Sequence, residues 1–262
     1  MEEYLRKLEK NEYANLLWNV PEQKMGTVNI VGGQAQSFRT PVRVAEYLGR
    51  EYPVKEVRLV LPDALFGKLP ALDNVVFLPS TESGSLNGEG LAEALNVADW
   101  NLVVGDLSKN SITARGVVGA CEIAEKPLLI TRDAVDLMVE AGAERTLLND
   151  KVAILASVAQ LSKLFRAVYY PKVLMMSQSL VQVADALHKF TLSYPVGVVT
   201  LHNGLILVAR DGTINAVALE KTGFSPIMLW GGELAARMVA LNLFNPGNWL
   251  GATTCAVFAS EP

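Results

Sequence analysis

With 262 residues, half of them hydrophobic and 19% charged, the chain is long enough to bury one large α/β core or two small ones. A net charge of −4 and a sequence pI near 5.4 supply no broad basic surface, so nucleic acid is set aside as a partner and a small ligand is expected instead. No apolar run reaches the roughly eighteen residues of a membrane span, and the first residues, Met1 to Lys7, are charged. Cys121 and Cys255 lie far apart among small and apolar neighbours. These features predict a cytoplasmic protein with reduced, buried thiols, no membrane contact and no disulfide.

In chain order, apolar residues at Tyr4, Leu5, Leu8, Tyr13, Leu16 and Leu17 predict an amphipathic helix over 2–18, within a helical extension (1–22) packed outside the core. Val28-Asn29-Ile30-Val31 reads as a short strand ending in Gly32-Gly33. Thr40-Pro41 then opens a helix with apolar Val42, Val44, Ala45 and Leu48. The alternation recurs: strands are predicted at 57–61, 75–78, 100–104, 128–131 and 152–156, and helices at 88–97, 111–124, 157–167 and 177–194. Such near-continuous apolar strands belong in a parallel sheet covered on both faces. The pattern changes after Pro195. Val196 to Leu201, the turn His202-Asn203-Gly204, Leu205 to Ala209, Asp211-Gly212 and Thr213 to Val217 predict antiparallel hairpins. A glycine-opened helix, the turn Asn245 to Asn248 and an apolar segment from Trp249 to Ala259 complete the chain. No linker or repeat interrupts it, so residues 1–262 are expected to form one three-layer αβα domain, mostly parallel with an antiparallel C-terminal part.

Ligands of open α/β sheets sit outside the carboxyl ends of the strands. The residues there are Gly32, Gly33, Gln34, Pro62, Asp63, Gly105, Asp106, Arg132, Asp133, His202 and Asn203. Each has a plain reading beside the functional one. Gly32-Gly33-Gln34 is a tight turn or a loose phosphate turn, and Gly105-Asp106 through Ser111 is a capped helix start or a phosphate or metal loop. Arg132 and Asp133 pair with each other or cap a helix, or Asp133 meets substrate or a metal-bound water. His188 reads as a helix-surface residue. Two isolated histidines make no metal site, and no metal ligand is assigned.

Trp230-Gly231-Gly232-Glu233 precedes a strong helix. Glycines there can bring backbone close to a ligand, and the free N–H groups of a helix start favour an anion such as phosphate. An acid beside such an anion site reads as a proton-transfer group, or more plainly as an acidic residue favoured by the helix dipole.

Over residues 25 to 259 these pieces resemble, in order, the ribokinase-like superfamily, and within it the ADP- or ATP-dependent NAD(P)H-hydrate dehydratases. The likeness rests on Ile30-Val31-Gly32-Gly33-Gln34 with Thr40-Pro41, on Val103-Val104-Gly105-Asp106, and on Lys126-Pro127 leading to Asp133-Ala134. It rests too on Trp230-Gly231-Gly232-Glu233, which stands where the family has a Gly-x-Gly-Asp motif forming an anion hole and a catalytic aspartate. Trp230 replaces the first glycine and Glu233 the aspartate. The preceding glycine-rich segment is reduced to Thr222 through Pro226, and the family's Thr-Pro-His segment is absent near Leu148-Asn149-Asp150.

The resemblance implies ATP or ADP with Mg2+ and a small hydroxylated substrate. Glu233 would be the base, Gly231, Gly232, Trp230, His202 and Asn203 the nucleotide side, and Gly32, Gly33, Gln34, Gly105, Asp106 and Asp133 the substrate side. Activity would be that of a dehydratase or a small-molecule kinase. The alternative is a member that keeps the scaffold without catalysis, as a ligand-binding or homo-oligomeric assembly protein whose interface would use Phe224, Met228, Leu229, Trp230, Phe244 and Trp249.

Overall fold

A computed structural model describes residues 3–69 and 74–258; Glu2 of the predicted N-terminal helix and Ala259 of the last segment lie outside them. Its centre is one ten-stranded sheet: β1 (Leu5–Leu8), β2 (Met25–Gly32), β3 (Val54–Pro62), β4 (Val75–Leu78), β5 (Trp100–Gly105), β6 (Leu128–Thr131), β7 (Val152–Leu155), β8 (Gly197–His202), β9 (Leu205–Arg210) and β10 (Thr213–Ala218). The strands lie in the order β1-β10-β9-β8-β7-β6-β5-β2-β3-β4. From β4 through β8 all neighbours are parallel, and β9 runs against both β8 and β10. This is the mostly parallel sheet with an antiparallel part that the apolar runs and hairpin signals imply.

Two turns make the antiparallel part. Asn203 and Gly204 join β8 to β9, and Asp211 and Gly212 join β9 to β10. All four have positive φ, the geometry of the tightest two-residue hairpins.

The helices cover both faces. On one lie α2 (Leu91–Val97), α3 (Ser111–Glu122), α4 (Asp133–Ala141), α5 (Glu144–Leu147), α6 (Val158–Ala167) and α7 (Leu180–Ser193). On the other lie α1 (Arg39–Glu51), α8 (Pro226–Gly231), α9 (Glu233–Phe244) and α10 (Trp249–Val257). No described helix is long and apolar enough to cross a membrane.

The N-terminal segment departs from expectation. In place of a helix over 2–18 there is β1, parallel to β10, followed by a 3-10 turn at Ala14–Asn19. Leu5 and Leu8 are both buried, and they belong to the hydrophobic clusters on opposite faces of the sheet. A separation of three puts residues on one side of a helix but on opposite sides of a strand. The same two leucines satisfy either pattern, and the otherwise open edge of β10 selects the strand.

The sheet order reverses between β2 and β5: β2 leads outward to β3 and β4, β5 to β6 and β7. Asn29 and Asn101 face each other in this seam. Asn29 Nδ2 donates to Asn101 Oδ1 at 2.9 Å and to the Ala94 carbonyl at 2.7 Å, and Asn101 Nδ2 donates to the Leu95 carbonyl at 2.8 Å, which fixes the end of α2 on the seam. The crevice for a ligand in such a sheet lies above the carboxyl end of this seam.

Because Leu5 and Leu8 fill separate cores, Leu5→Ala and Leu8→Ala should each destabilise the fold by about 2–4 kcal/mol and add nearly linearly in the double variant. Urea denaturation midpoints of the three variants measure this.

Candidate functional site

At the seam two glycine ends interlock. Gly33 N donates to the Gly105 carbonyl at 2.9 Å, and a Cβ on Gly32 would stand 2.2 Å from that same oxygen. Gly105 has φ +94°, and a Cβ there would lie 1.8 Å from Asp133 Oδ1. Only glycine lets the backbone come this close. The approach serves a hydrogen-bonded cradle: Asp133, the first residue of α4, accepts from Asp106 N and Leu107 N, each at 3.0 Å.

Asp106 is itself left-handed, with φ 56°, and 9% exposed. Its Oδ2 accepts from Thr40 N at 3.1 Å, in the first turn of α1, and its Oδ1 accepts from Arg132 Nη2 at 3.1 Å. Arg132 also has positive φ, 58°. Its Nη1 donates to the Trp230 carbonyl at 3.0 Å, while its own carbonyl accepts from Gln160 Nε2 at 2.7 Å. Arg132 and Asp133 therefore do not pair with each other; each reaches across to the β5 loop. Two non-glycine residues in sparsely populated backbone cost on the order of 1–3 kcal/mol each, and these bonds hold them there.

The Gly231-Gly232 segment is not an open loop. Ser225 Oγ caps α8 by accepting from Met228 N at 3.3 Å, Pro226 opens the helix, and Gly231 is its last residue. Gly232, with φ +109°, is the elbow into α9, and a Cβ on it would meet Val44 Cγ2 at 2.5 Å. The carbonyl end of α8 points at two guanidinium groups: Trp230 O receives Arg132, and Gly231 O receives Arg43 Nη2 at 2.7 Å. Glu233 folds back over Gly231, where a Cβ would lie 2.5 Å from its Oε2. Glu233 Oε1 is 4.0 Å from Arg43 Nε, and its Oε2 is buried without a hydrogen-bond partner. Trp230 is half-buried and packs against the core on the face of the sheet that carries α1 and α9.

Gln34 closes a small turn with reciprocal backbone bonds to Ser37. His202 and Asn203, at the end of β8, are three strand spacings from β5, about 14 Å. His202 is fully buried, its Nε2 2.8 Å from the Gln178 carbonyl; Asn203 is a hairpin residue beside a separate recess with Leu219 and Phe224. His188 is not a free surface residue: it stacks on Tyr4, with ring centroids 4.1 Å apart, and its Nδ1 is 2.5 Å from the Gly212 carbonyl. Both cysteines are buried, and burial pushes the Cys121 thiol up to about 12. Of the aromatic and apolar residues offered for a subunit interface, Phe224, Leu229 and Phe244 are buried in the chain's own core.

Arg43, Gln160 and helix α8 escape the sequence reading. Arg43 is one more polar residue on an amphipathic helix, and nothing local marks it. Ser225-Pro226 is a recognisable helix start that the two following glycines overshadow.

No protein-family model matches the chain, and no curated protein matches it by sequence. Solved structures do. A hypothetic protein from Streptococcus mutans is similar over 96% of this chain and 88% of its own, with a TM-score of 0.68 and 13% identity. A ribokinase-like superfamily protein from Enterococcus faecalis follows over 97% and 86%, at 0.67 and 14%. The ADP/ATP-dependent NAD(P)H-hydrate dehydratase of Bacillus subtilis, co-crystallised with ATP/Mg2+, is similar over 94% and 84%, at 0.60 and 12%. The chain has the ribokinase-like fold.

Arg132→Ala should destabilise the protein by about 3 kcal/mol, because it leaves the carboxylate of Asp106 buried without its partner. Arg132→Lys should recover only part of this, since one ammonium cannot span Asp106 and the Trp230 carbonyl together. Denaturant midpoints of the two variants provide the comparison.

Proposed function

We propose that this chain is a ribokinase-fold protein that binds a phosphate-bearing, nucleotide-type ligand at the crevice without transferring its phosphoryl group. The reading is carried by Glu233: the carboxylate in the position of the family's catalytic aspartate is folded onto Gly231 and beside Arg43, with Oε2 closed off from solvent. A general base must come within hydrogen-bond reach of a substrate proton.

The surroundings support the same reading. A triphosphate with Mg2+ needs carboxylate oxygens for the metal and unoccupied donors for the phosphates. Asp106 and Asp133 spend both carboxylate oxygens on N–H donors, and among the described residues no group of three or more His, Cys, Asp or Glu could hold a metal ion. These groups do not by themselves form a Mg2+ site, and a metal here would be carried by the nucleotide's phosphates and water. Arg43 fits a phosphate: its side chain is 57% exposed, and its guanidinium holds only a carbonyl and a carboxylate 4.0 Å away. Binding would be by charge-assisted hydrogen bonds from Arg43, with α8 forming one wall.

One observation favours a second reading, a dehydratase or kinase with Glu233 as base. The unpartnered Oε2 retains its lone pairs, and a movement of α8 would present them to a substrate hydroxyl.

Thermal shift with ATP, ADP, AMP and NAD(P)H, each with Mg2+, combined with assays of nucleotide turnover and hydrate dehydration, separates the two. At about 100 times Kd an adenine nucleotide should add about 2.7 kcal/mol, a rise of about 5–10 °C in Tm. The rise should persist in Glu233→Gln and fall in Arg43→Ala, with no turnover in any variant. Turnover lost in Glu233→Gln would establish the second reading, and no shift with any nucleotide would reject both.

A further inference from the structure

The end of the sheet opposite the crevice carries its own cavity. A recess of about 440 Å3 opens between the starts of β5, β6 and β7, the end of β9 and the turn from α9 to α10. Trp100 begins β5 and Gly105 ends it, so this recess and the crevice stand about a strand length apart, roughly 17 Å. The volume is that of a small-molecule site.

Its wall is built round Trp249. The indole lies so tightly on β8 that a Cβ on Gly197 would stand 2.4 Å from its nearest ring atom, and the Arg210 guanidinium stands over the same indole, 5.3 Å from the ring centroid. Trp100 supplies a second aromatic lining residue, and Asn242 and Asn248 supply amides.

Arg210 has few partners for its position. Its side chain is 19% exposed, and it carries five N–H donors. One, on Nη2, donates to the Asp150 carbonyl at 2.8 Å, and Nε faces the Asp211 carboxylate at 3.8 Å. That carboxylate is 78% exposed and, at this distance, makes no hydrogen bond to the guanidinium. Burial accordingly lowers the Arg210 pKa. A largely buried guanidinium ordinarily takes an in-plane anionic acceptor, and a carboxylate matches its fork with two parallel bonds.

We propose that this recess binds a small carboxylate on a planar body, with the carboxylate on the free edge of the Arg210 guanidinium and the body against Trp249 and Trp100. A monoanion suits the site better than a phosphate dianion. The neighbouring Lys151 ammonium is already paired with Asp150 at 2.9 Å, and the Asp150 and Asp211 carboxylates at the rim repel a second negative charge. The site is independent of the function assigned to the crevice.

Benzoate is the probe, with benzamide as its uncharged isostere, titrated into the full chain and followed by tryptophan fluorescence and by indole N–H resonances in two-dimensional NMR. Benzoate should move the Trp249 and Trp100 signals and benzamide should not, and Arg210→Ala should weaken benzoate binding by about tenfold or more. Asp211→Asn, which removes an exposed competing carboxylate at a position asparagine tolerates, should tighten it and gives an answer even if Arg210→Ala fails to fold. The proposal is overturned if benzoate and benzamide act alike, if the folded Arg210→Ala binds benzoate as the parent does, if Asp211→Asn leaves the affinity unchanged, or if millimolar benzoate moves neither indole.

Discussion

The carboxyl end of the sheet depends on the Arg132 guanidinium, which bridges the Asp106 carboxylate after β5 and the Trp230 carbonyl at the end of α8. A buried charge is tolerable when its partner and its hydrogen bonds are all in place, and costly when one is missing. Here the requirement propagates. Asp106 must turn into the left-handed region to face both Arg132 and the first turn of α1, so the residue before it must be Gly105, and the amides thus exposed must be gathered by Asp133. Arg132 in turn adopts positive φ and hands its carbonyl to Gln160 on α6. Four elements above the switch point are locked by one ion pair and its hydrogen bonds.

That network decides the chemistry available above the sheet. Polar groups that receive a substrate must have bonding capacity to spare, and in the seam much of it is spent internally: Gly33 N on Gly105, one amide on each oxygen of Asp133, and Thr40 and Arg132 on the oxygens of Asp106, while the buried Arg132 Nε keeps an unused N–H. The same residue types in the same strand-end positions can thus form a substrate cradle or a structural clamp, and hydrogen-bond partners tell the two apart where composition does not.

Much of the scaffold was legible because it follows from short-range rules. The central parallel strands β5, β6 and β7 are buried along their whole length and read as near-continuous apolar runs, and Asn203-Gly204 and Asp211-Gly212 carry the positive φ that their hairpins need. The N-terminal strand was illegible because Leu5 and Leu8 satisfy the spacing of a helix as well as that of a two-sided edge strand, and only the distant β10 resolves the choice. The partners of Arg132 were illegible for a related reason: Asp106 is 26 residues away and Trp230 is 98. A lone sequence identifies a charge that needs a partner, but the partner is chosen by the topology. Helix α8 is a different case, since Ser225-Pro226 announces a helix start but Gly231-Gly232 closes the helix after only six residues.

The conformation of Glu233, one methylene longer than an aspartate, follows from its place at the start of α9. Helical side chains lean toward the N-terminus of their own helix, so a carboxylate on the first residue of α9 is directed back over the preceding turn, and the extra methylene lengthens that reach. The glutamate lies on Gly231, at the positive end of the α9 dipole and beside Arg43. Those are the features that make a helix start attractive to a bound phosphate. The protein's own carboxylate therefore stands where an incoming anion would find its most favourable potential, and the carbonyls of α8 take the guanidinium groups that such an anion would otherwise recruit. A helix start so occupied already has its dipole met by a carboxylate. On the reading proposed above, a ligand at this mouth would be held by the exposed flank of Arg43, with the Glu233 carboxylate beside it rather than free to take a proton.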